Sequence, residues 1–275
     1  MLGNIQLLIA ACQELNIDFQ IIHSTQNIVK VNLGKSYFFV NYTTPFLDQS
    51  LAKILRDKDY TFQVLKASIK MPYTMSFLSP FCDPKYQRYL KLDTIDSITD
   101  RIIDNFTLPI IVKRNSGSSG SNVFLCEDRT SIKKALENIF DLNTKEYDYI
   151  ALAQEYVKIE LEYRAIFCNR QLKLLYRKNN SNACFTGNLS PLHWEGAIAE
   201  HITDARILQE IQDFVQPVFQ ELDLAYGGFD IARDDRGNYW LIEINSHPNF
   251  DIFTRDNDPS LAIEIFKTML QSLSA

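Results

Sequence analysis

A chain of 275 residues, 46 % hydrophobic and 23 % charged, is long enough for one large domain or two to three lobes with their own apolar interiors. A net charge of −6 without any basic block excludes a general nucleic-acid binder, and no apolar run reaches membrane-span length. Five scattered cysteines without a CxxC pair, and a start without a basic n-region, predict reduced thiols in a cytoplasmic protein, while four scattered histidines argue against a Zn²⁺ site.

Residues 1–56 read as a small α/β lobe. A helix over about 3–14 carries Ile5, Leu8, Ile9 and Cys12 on one face, and strands follow at 17–23, 27–33 and 36–42. A further helix starts near Asp48. The apolar run Tyr37-Phe38-Phe39-Val40 needs cover, and a symmetric homodimer is the commonest way to supply it. Residues 57–157 read as a second unit. A helix over 57–69 ends before Pro72, and 79–93 is a Pro- and Tyr-rich loop. A helix over 94–106, strands at 109–114 and 122–127, a helix at 130–140 capped by Thr130 or Ser131, and a strand at 149–157 complete it. Residues 158–275 form the third unit. Strands at 161–168 and 171–177 flank Asn169-Arg170, a polar loop runs over 178–200, and a helix over 204–222 should kink at Pro217. A last helix follows Pro259.

The stretch Tyr226 to Phe250 organises the third unit. It reads as two strands around the turn Asp234-Asp235-Arg236-Gly237-Asn238. Glu243 and Asn245 are two apart and share a strand face. If Asp230 lies opposite them, three oxygen ligands converge. Oxygen-only donors suit a hard cation, and Mg²⁺ takes one or two carboxylates plus phosphate oxygens, with Mn²⁺ as the alternative ion.

A second constellation fits phosphate. Lys113 ends a strand and precedes Ser116-Gly117-Ser118-Ser119-Gly120-Ser121, a Gly/Ser loop whose backbone N–H groups can cradle phosphate oxygens. Because the Lys precedes the loop and no GK[ST] follows, this is not a P-loop. Lys58 at a helix start is a second phosphate candidate. Gln154, Glu155, Tyr156 and Val157 lie where the second unit passes into the third, a place for an adenine edge. Glu162 can accept from ribose hydroxyls. Arg164 and Arg177 sit on neighbouring strands and suit phosphoryl or carboxylate groups.

Taken in chain order, these residues resemble the ATP-grasp superfamily of carboxylate–amine ligases, over about residues 40–255. PIIVKRNSGSSGSNV is similar to that family's phosphate-loop strand and IARDDRGNYWLIEINSHP to its metal strand. EYRAIFCNRQLKLLYRK with TGNLS at 186–190 resembles the glutathione synthetase, cyanophycin synthetase and ribosomal-protein glutamate ligase branch. The resemblance implies an α/β (α+β) ATP-grasp fold of three lobes, with a shortened N-terminal lobe before the ATP-grasp pair. It implies ATP and Mg²⁺ as cofactors and an amino acid or peptide as substrate. Lys58, Lys113 and the loop with Ser118, Ser119 and Gly120 would bind phosphates. Gln154 to Val157 would meet adenine and Glu162 ribose. Asp230, Glu243 and Asn245 would hold the metal, and Arg177, with Arg164 and Asn188, would stabilise the transferring phosphoryl group. The chain departs from that pattern at Thr186, where the family often has Arg, at LHWEG (192–196) and at His247.

The implied reaction activates a carboxylate as an acyl phosphate and joins it to an amine. It asks for positioning and charge neutralisation and no nucleophile triad, and the chain has no GxSxG. Two alternatives stand beside it: a catalytically weak ATP-binding subunit of a larger assembly, and a phosphotransferase that stops at the phosphorylated product.

Overall fold

In a computed structural model, residues 1–117, 120, 122–187, 192 and 194–274 are described. The chain opens with α1 (Gly3–Glu14), whose Ile5, Leu8 and Cys12 are buried as the helical spacing predicts. Strands β1 (Phe19–Ile21), β2 (Ile28–Leu33) and β3 (Lys35–Val40) then form an antiparallel meander. Helix α2 (Gln49–Arg56) is capped by Asp48, which accepts from the Leu51 N–H. Helix α3 (Lys58–Leu65) is capped in the same way by Asp57.

Helix α3 stops at Leu65, short of the expected end, and a strand absent from the sequence reading follows, β4 (Thr74–Leu78). It lies at the edge of its sheet, where the nearby Pro72 costs no ladder bond. The expected loop at 79–93 contains one 3₁₀ turn, Pro84–Tyr89. Helix α4 (Ile95–Asn105), strands β5 (Ile110–Arg114) and β6 (Val123–Cys126), helix α5 (Arg129–Ile139) and strand β7 (Ile150–Glu155) follow. The cap of α5 is Asp128, not Thr130 or Ser131. Asp128 accepts from the Ser131 N–H while Ser131 Oγ accepts from the Asp128 N–H, a reciprocal box that a carboxylate at the helix start favours. The antiparallel sheet β4-β7-β5-β6 packs on α4 and α5 through Ile98, Ile102, Val112, Ile132 and Leu136.

The remaining chain builds a second antiparallel sheet, ordered β10-β9-β8-β11-β12. Its strands are β8 (Ile159–Cys168), β9 (Gln171–Asn179), β10 (Ile198–His201), β11 (Tyr226–Asp234) and β12 (Tyr239–Asn245). Strand β10 begins within the last residues of the expected polar loop and runs past its end. Between β10 and β11 the expected kink at Pro217 separates α6 (Ala205–Val215) from α7 (Val218–Glu221). Short α8 (Asp251–Asp256) and long α9 (Ser260–Ser274) end the chain. The β11–β12 turn is organised by Asp234. Its Oδ1 accepts from the Arg236 and Asn238 N–H groups and its Oδ2 from the Trp240 indole, and Gly237 takes φ +83°, which side chains resist.

The two faces of this sheet belong to different apolar clusters. One joins α1, β2 and β3 to α8, α9 and to Ile166, Leu174 and Tyr176 of the sheet. Residues 1–56 thus share an interior with the C-terminal unit. The other face buries Tyr163, Ala165, Phe229 and Ile231 beneath α2, α3, α6 and α7. Among the described residues no helix is long and apolar enough to cross a membrane.

Candidate active site

A cleft of about 700 Å³ is lined by residues of β5, β6 and β7 on one side and β8, β9, β11 and β12 on the other. Cross-strand register decides which side chains reach it, because residues opposite each other share a sheet face. Asp230 pairs with both Glu243 and Arg164, and Arg164 pairs with Tyr176. These four stand on the cleft face. A register shift after Asp230 lets the paired strand keep Glu243 opposite it.

At the centre lies a chain of alternating charge, Arg164–Asp230–Lys178–Glu162, buried at Asp230 and Lys178 and half-buried at its two ends. Arg164 Nε donates to Asp230 Oδ1 and Arg164 Nη2 to Oδ2 at 3.0 Å. Lys178 Nζ donates to the same Oδ2 at 3.1 Å and to Glu162 Oε1. The Lys178 side chain is 3 % exposed and that of Asp230 7 %. Burial opposes the ionisation of Asp230, but Arg164 and Lys178 outweigh it and hold its carboxyl down at about 2. Burial likewise works against charge on Lys178, and Asp230 and Glu162 reverse this, raising it above the usual lysine range.

Glu243 and Asn245 lie beside this chain. Asn245 Nδ2 donates to Glu243 Oε1 at 3.2 Å, which leaves Asn245 Oδ1 as an acceptor. Among the described residues no group of three His, Cys, Asp or Glu is arranged to hold a metal. The candidate set is two carboxylates and an amide. Its all-oxygen chemistry fits a hard cation, with other oxygens completing the shell.

The phosphate candidates converge from the opposite wall. Lys58 opens α3, donates from Nζ to the Gly117 carbonyl at 2.5 Å and stands 3.5 Å from Glu243. Lys113 on β5 is buried and donates to Gln154 Oε1 at 2.9 Å. Burial, and then the charge of Lys58, lower its pKa to about 8 against a smaller opposing pull from Glu243. Gly120 has φ +69°, a backbone state open to glycine. Ser118, Ser119 and Asn188 lie outside the described residues.

The expected adenine segment divides. Residues 156–158 link β7 to β8, with Tyr156 exposed and Val157 buried. Glu155 pairs its backbone N–H with Tyr73 O and its carboxylate with the Tyr73 N–H. The Gln154 side-chain amide points inward, to Lys113 and to Thr74 Oγ1 at 2.9 Å.

Arg177 is not brought to Asp230. It pairs with Tyr163 and Glu200 on the far face of the sheet, and touches the cleft only as one of its lining residues. Its Nη2 donates to Glu200 Oε2 at 2.5 Å, which also accepts from Asn179 Nδ2. The next residue, Lys178, takes the cleft position. Sequence reasoning missed it because one step along a strand reverses the face, and only register tells which member of an Arg-Lys pair faces inward. His247 also lines the cleft, next to Ser246 Oγ at 2.6 Å, and burial followed by Arg56 lowers its pKa.

Two antiparallel sheets closing on a lysine- and carboxylate-lined cleft match the fold of solved ATP-grasp ligases. The D-alanine–D-alanine ligase of Bacillus anthracis overlays 79 % of this chain at a TM-score of 0.55 and 19 % identity, and the chain spans 65 % of that ligase. A bifunctional glutathione synthetase of Pasteurella multocida overlays 98 % of this chain at a TM-score of 0.57 and 14 % identity, and the chain spans 43 % of it. The chain belongs to the RimK-like ATP-grasp family, whose domain matches residues 84–269. It is 25 % identical to an uncharacterized protein of Mycoplasma genitalium over 98 % of this chain and 94 % of that one. It is 22 % identical to a probable alpha-L-glutamate ligase of Pasteurella multocida over 91 % and 72 % of the two chains.

Proposed function

We propose that this ATP-grasp protein is an ADP-forming ligase that joins the carboxylate of an amino acid or peptide to an amine. The observation that carries the reading is the meeting of Asp230, Glu243 and Asn245 with four cations, Lys58, Lys113, Arg164 and Lys178, in one cleft. ATP phosphates would be held by Lys58, Lys113 and the 116–121 loop, and the base would lie along residues 155–157. Asp230, Glu243 and Asn245 would hold Mg²⁺, or Mn²⁺ in its place, which would supply positive charge to offset the phosphate charge. Arg164 and Lys178 are the cations placed to balance charge on the transferring phosphoryl group.

In the reaction, a substrate carboxylate oxygen attacks the γ-phosphorus and the bond to ADP breaks. The amine nitrogen then attacks the acyl carbon, phosphate leaves, and the nitrogen gives up a proton. The chain's part is to position and neutralise charge, and the lysines, arginine and carboxylates described in the cleft are suited to that. The test is ADP release from ATP and Mg²⁺ across a panel of amino-acid carboxylates and amines, with L-glutamate first because of the Pasteurella relative. ADP release that requires both a carboxylate and an amine supports the reading. ATP binding without turnover on any pair would point to a nucleotide-binding subunit. A stable phosphorylated product formed without amine would point to a phosphotransferase.

A further inference from the structure

Three buried groups in sequence set the direction of Lys113. Thr74 on β4 stands opposite Gln154 on β7, and Lys113 on β5 is next in the same sheet. Thr74 Oγ1 donates to the Pro72 carbonyl at 2.9 Å. The hydroxyl has one hydrogen, so once this bond is made Oγ1 can only accept. The Gln154 amide bond to Oγ1, 2.9 Å long, must therefore be made by Nε2. That fixes the amide, and its Oε1 is left facing Lys113 Nζ at 2.9 Å. Thr74 is 4 % exposed, Lys113 6 % and Gln154 7 %, so water competes little for these bonds.

We propose that Thr74 is a positioning residue for the nucleotide site, fixing the Gln154 amide so that its carbonyl holds Lys113 in its charged form and aimed at the phosphates. Thr74 itself touches no ligand. The inference rests on the nucleotide reading above only for what Lys113 binds. The hydrogen-bond order stands without it. A reversed amide would turn its NH₂ toward Lys113, where it can bond only the neutral amine. Thr74 denies Gln154 that orientation, and so works against the loss of the Lys113 proton. The charged groups facing Lys113 are Lys58 from α3, which disfavours its charge, and Glu243 from β12, which favours it. With Lys58 adjacent and burial against it, the Gln154 carbonyl is the neutral group that favours the charged form.

The experiment compares the full-length native chain with Thr74→Val, which keeps the shape and removes the hydroxyl, and with Thr74→Ser, which keeps the hydroxyl. Lys113 is titrated directly by Nζ nuclear magnetic resonance in lysine-labelled protein without nucleotide, and ATP affinity is measured by calorimetry across the same pH range. The native midpoint is expected near 8. In Thr74→Val it should fall by about one pH unit, the worth of one hydrogen bond to a charged group, and ATP affinity at pH 8 should fall by about fivefold with the charged fraction of Lys113. Thr74→Ser should restore both. An unchanged Lys113 midpoint in Thr74→Val overturns the inference, and so does a Thr74→Ser variant as defective as Thr74→Val. If Thr74→Val does not fold, Gln154→Leu must give the lowered midpoint, and a native midpoint there overturns the inference equally. If the native chain binds no ATP, the nucleotide reading fails, while the Lys113 titration still decides the role of Thr74.

Discussion

Asp230 faces Glu243 across the β11–β12 ladder, yet both Asp230 oxygens already accept from cations, Oδ1 from Arg164 and Oδ2 from Arg164 and Lys178. A divalent ion approaching this pair alone would meet two positive charges on the carboxylate it needs. Phosphate oxygens change the balance, since they offer Arg164 and Lys178 new partners and add negative charge for the metal. Mg²⁺ is therefore expected to bind weakly without nucleotide and to tighten at least about tenfold with ATP present. Equal Mg²⁺ affinity with and without ATP, measured by calorimetry, would refute this.

The neighbours Arg177 and Lys178 should differ sharply when replaced. Lys178 is buried between Glu162 and Asp230, so Lys178→Met leaves two carboxylates close together in a site with little water. The expected loss of stability is about 3–5 kcal/mol. Arg177 and Glu200 are about one-third exposed, and their pair is screened, so Arg177→Met should cost about 1 kcal/mol or less. Denaturant unfolding of both variants checks this, and similar losses would mean that the face assignment of β9 is wrong.

Lys113 gives a pH signature of its own. Its folded-state pKa lies near 8, below the ordinary 10.5, so the folded chain binds its proton less tightly than the unfolded chain. The cost is full below pH 8 and fades as pH rises from 8 toward 10.5. Lys113→Met removes it. The stability difference, variant minus native, should therefore fall by about 2–3 kcal/mol between pH 7 and pH 10, whatever constant offset the lost Gln154 bond adds. A difference that stays flat over that range would show that Lys113 is not held in the buried state described.

What could be read from the sequence follows the range of the physics. Glu243 and Asn245 were legible as a pair because strand side chains repeat every two residues, and Asp234 to Asn238 announced the turn that brings Asp230 opposite them. The helix faces of Ile5, Leu8 and Cys12, and of Ile98 and Ile102, were equally local. Lys178 was not legible, since the register that turns it inward depends on a bulge at Ile166/Phe167 and on the Asn169-Arg170 turn together. The side-chain role of Gln154 was not legible because its partners, Thr74 and Lys113, lie 80 and 41 residues away. Nor does any local pattern tell that α1 packs on α9 and joins the first segment to the last in one interior.

Glu243 separates chemistry from stability most clearly. It touches both walls of the cleft, standing 3.5 Å from Lys58 and accepting from Asn245, with a quarter of its side chain exposed. Glu243→Gln keeps the shape and can keep both contacts in weakened form, so the fold should lose about 1 kcal/mol or less. It removes one of the two negative charges available to a phosphate-bound divalent ion. On the proposed function that change bears on the phosphoryl-transfer step, where a bound metal would offset the phosphate charge. ADP release with a productive carboxylate and amine should therefore drop by about a hundredfold. The gain in ATP affinity that Mg²⁺ gives the native chain should shrink in parallel. Thermal unfolding, ADP release and ATP calorimetry on the same preparation make the comparison. Native turnover in Glu243→Gln, or an undiminished Mg²⁺ effect on ATP affinity, would remove Glu243 from the metal site.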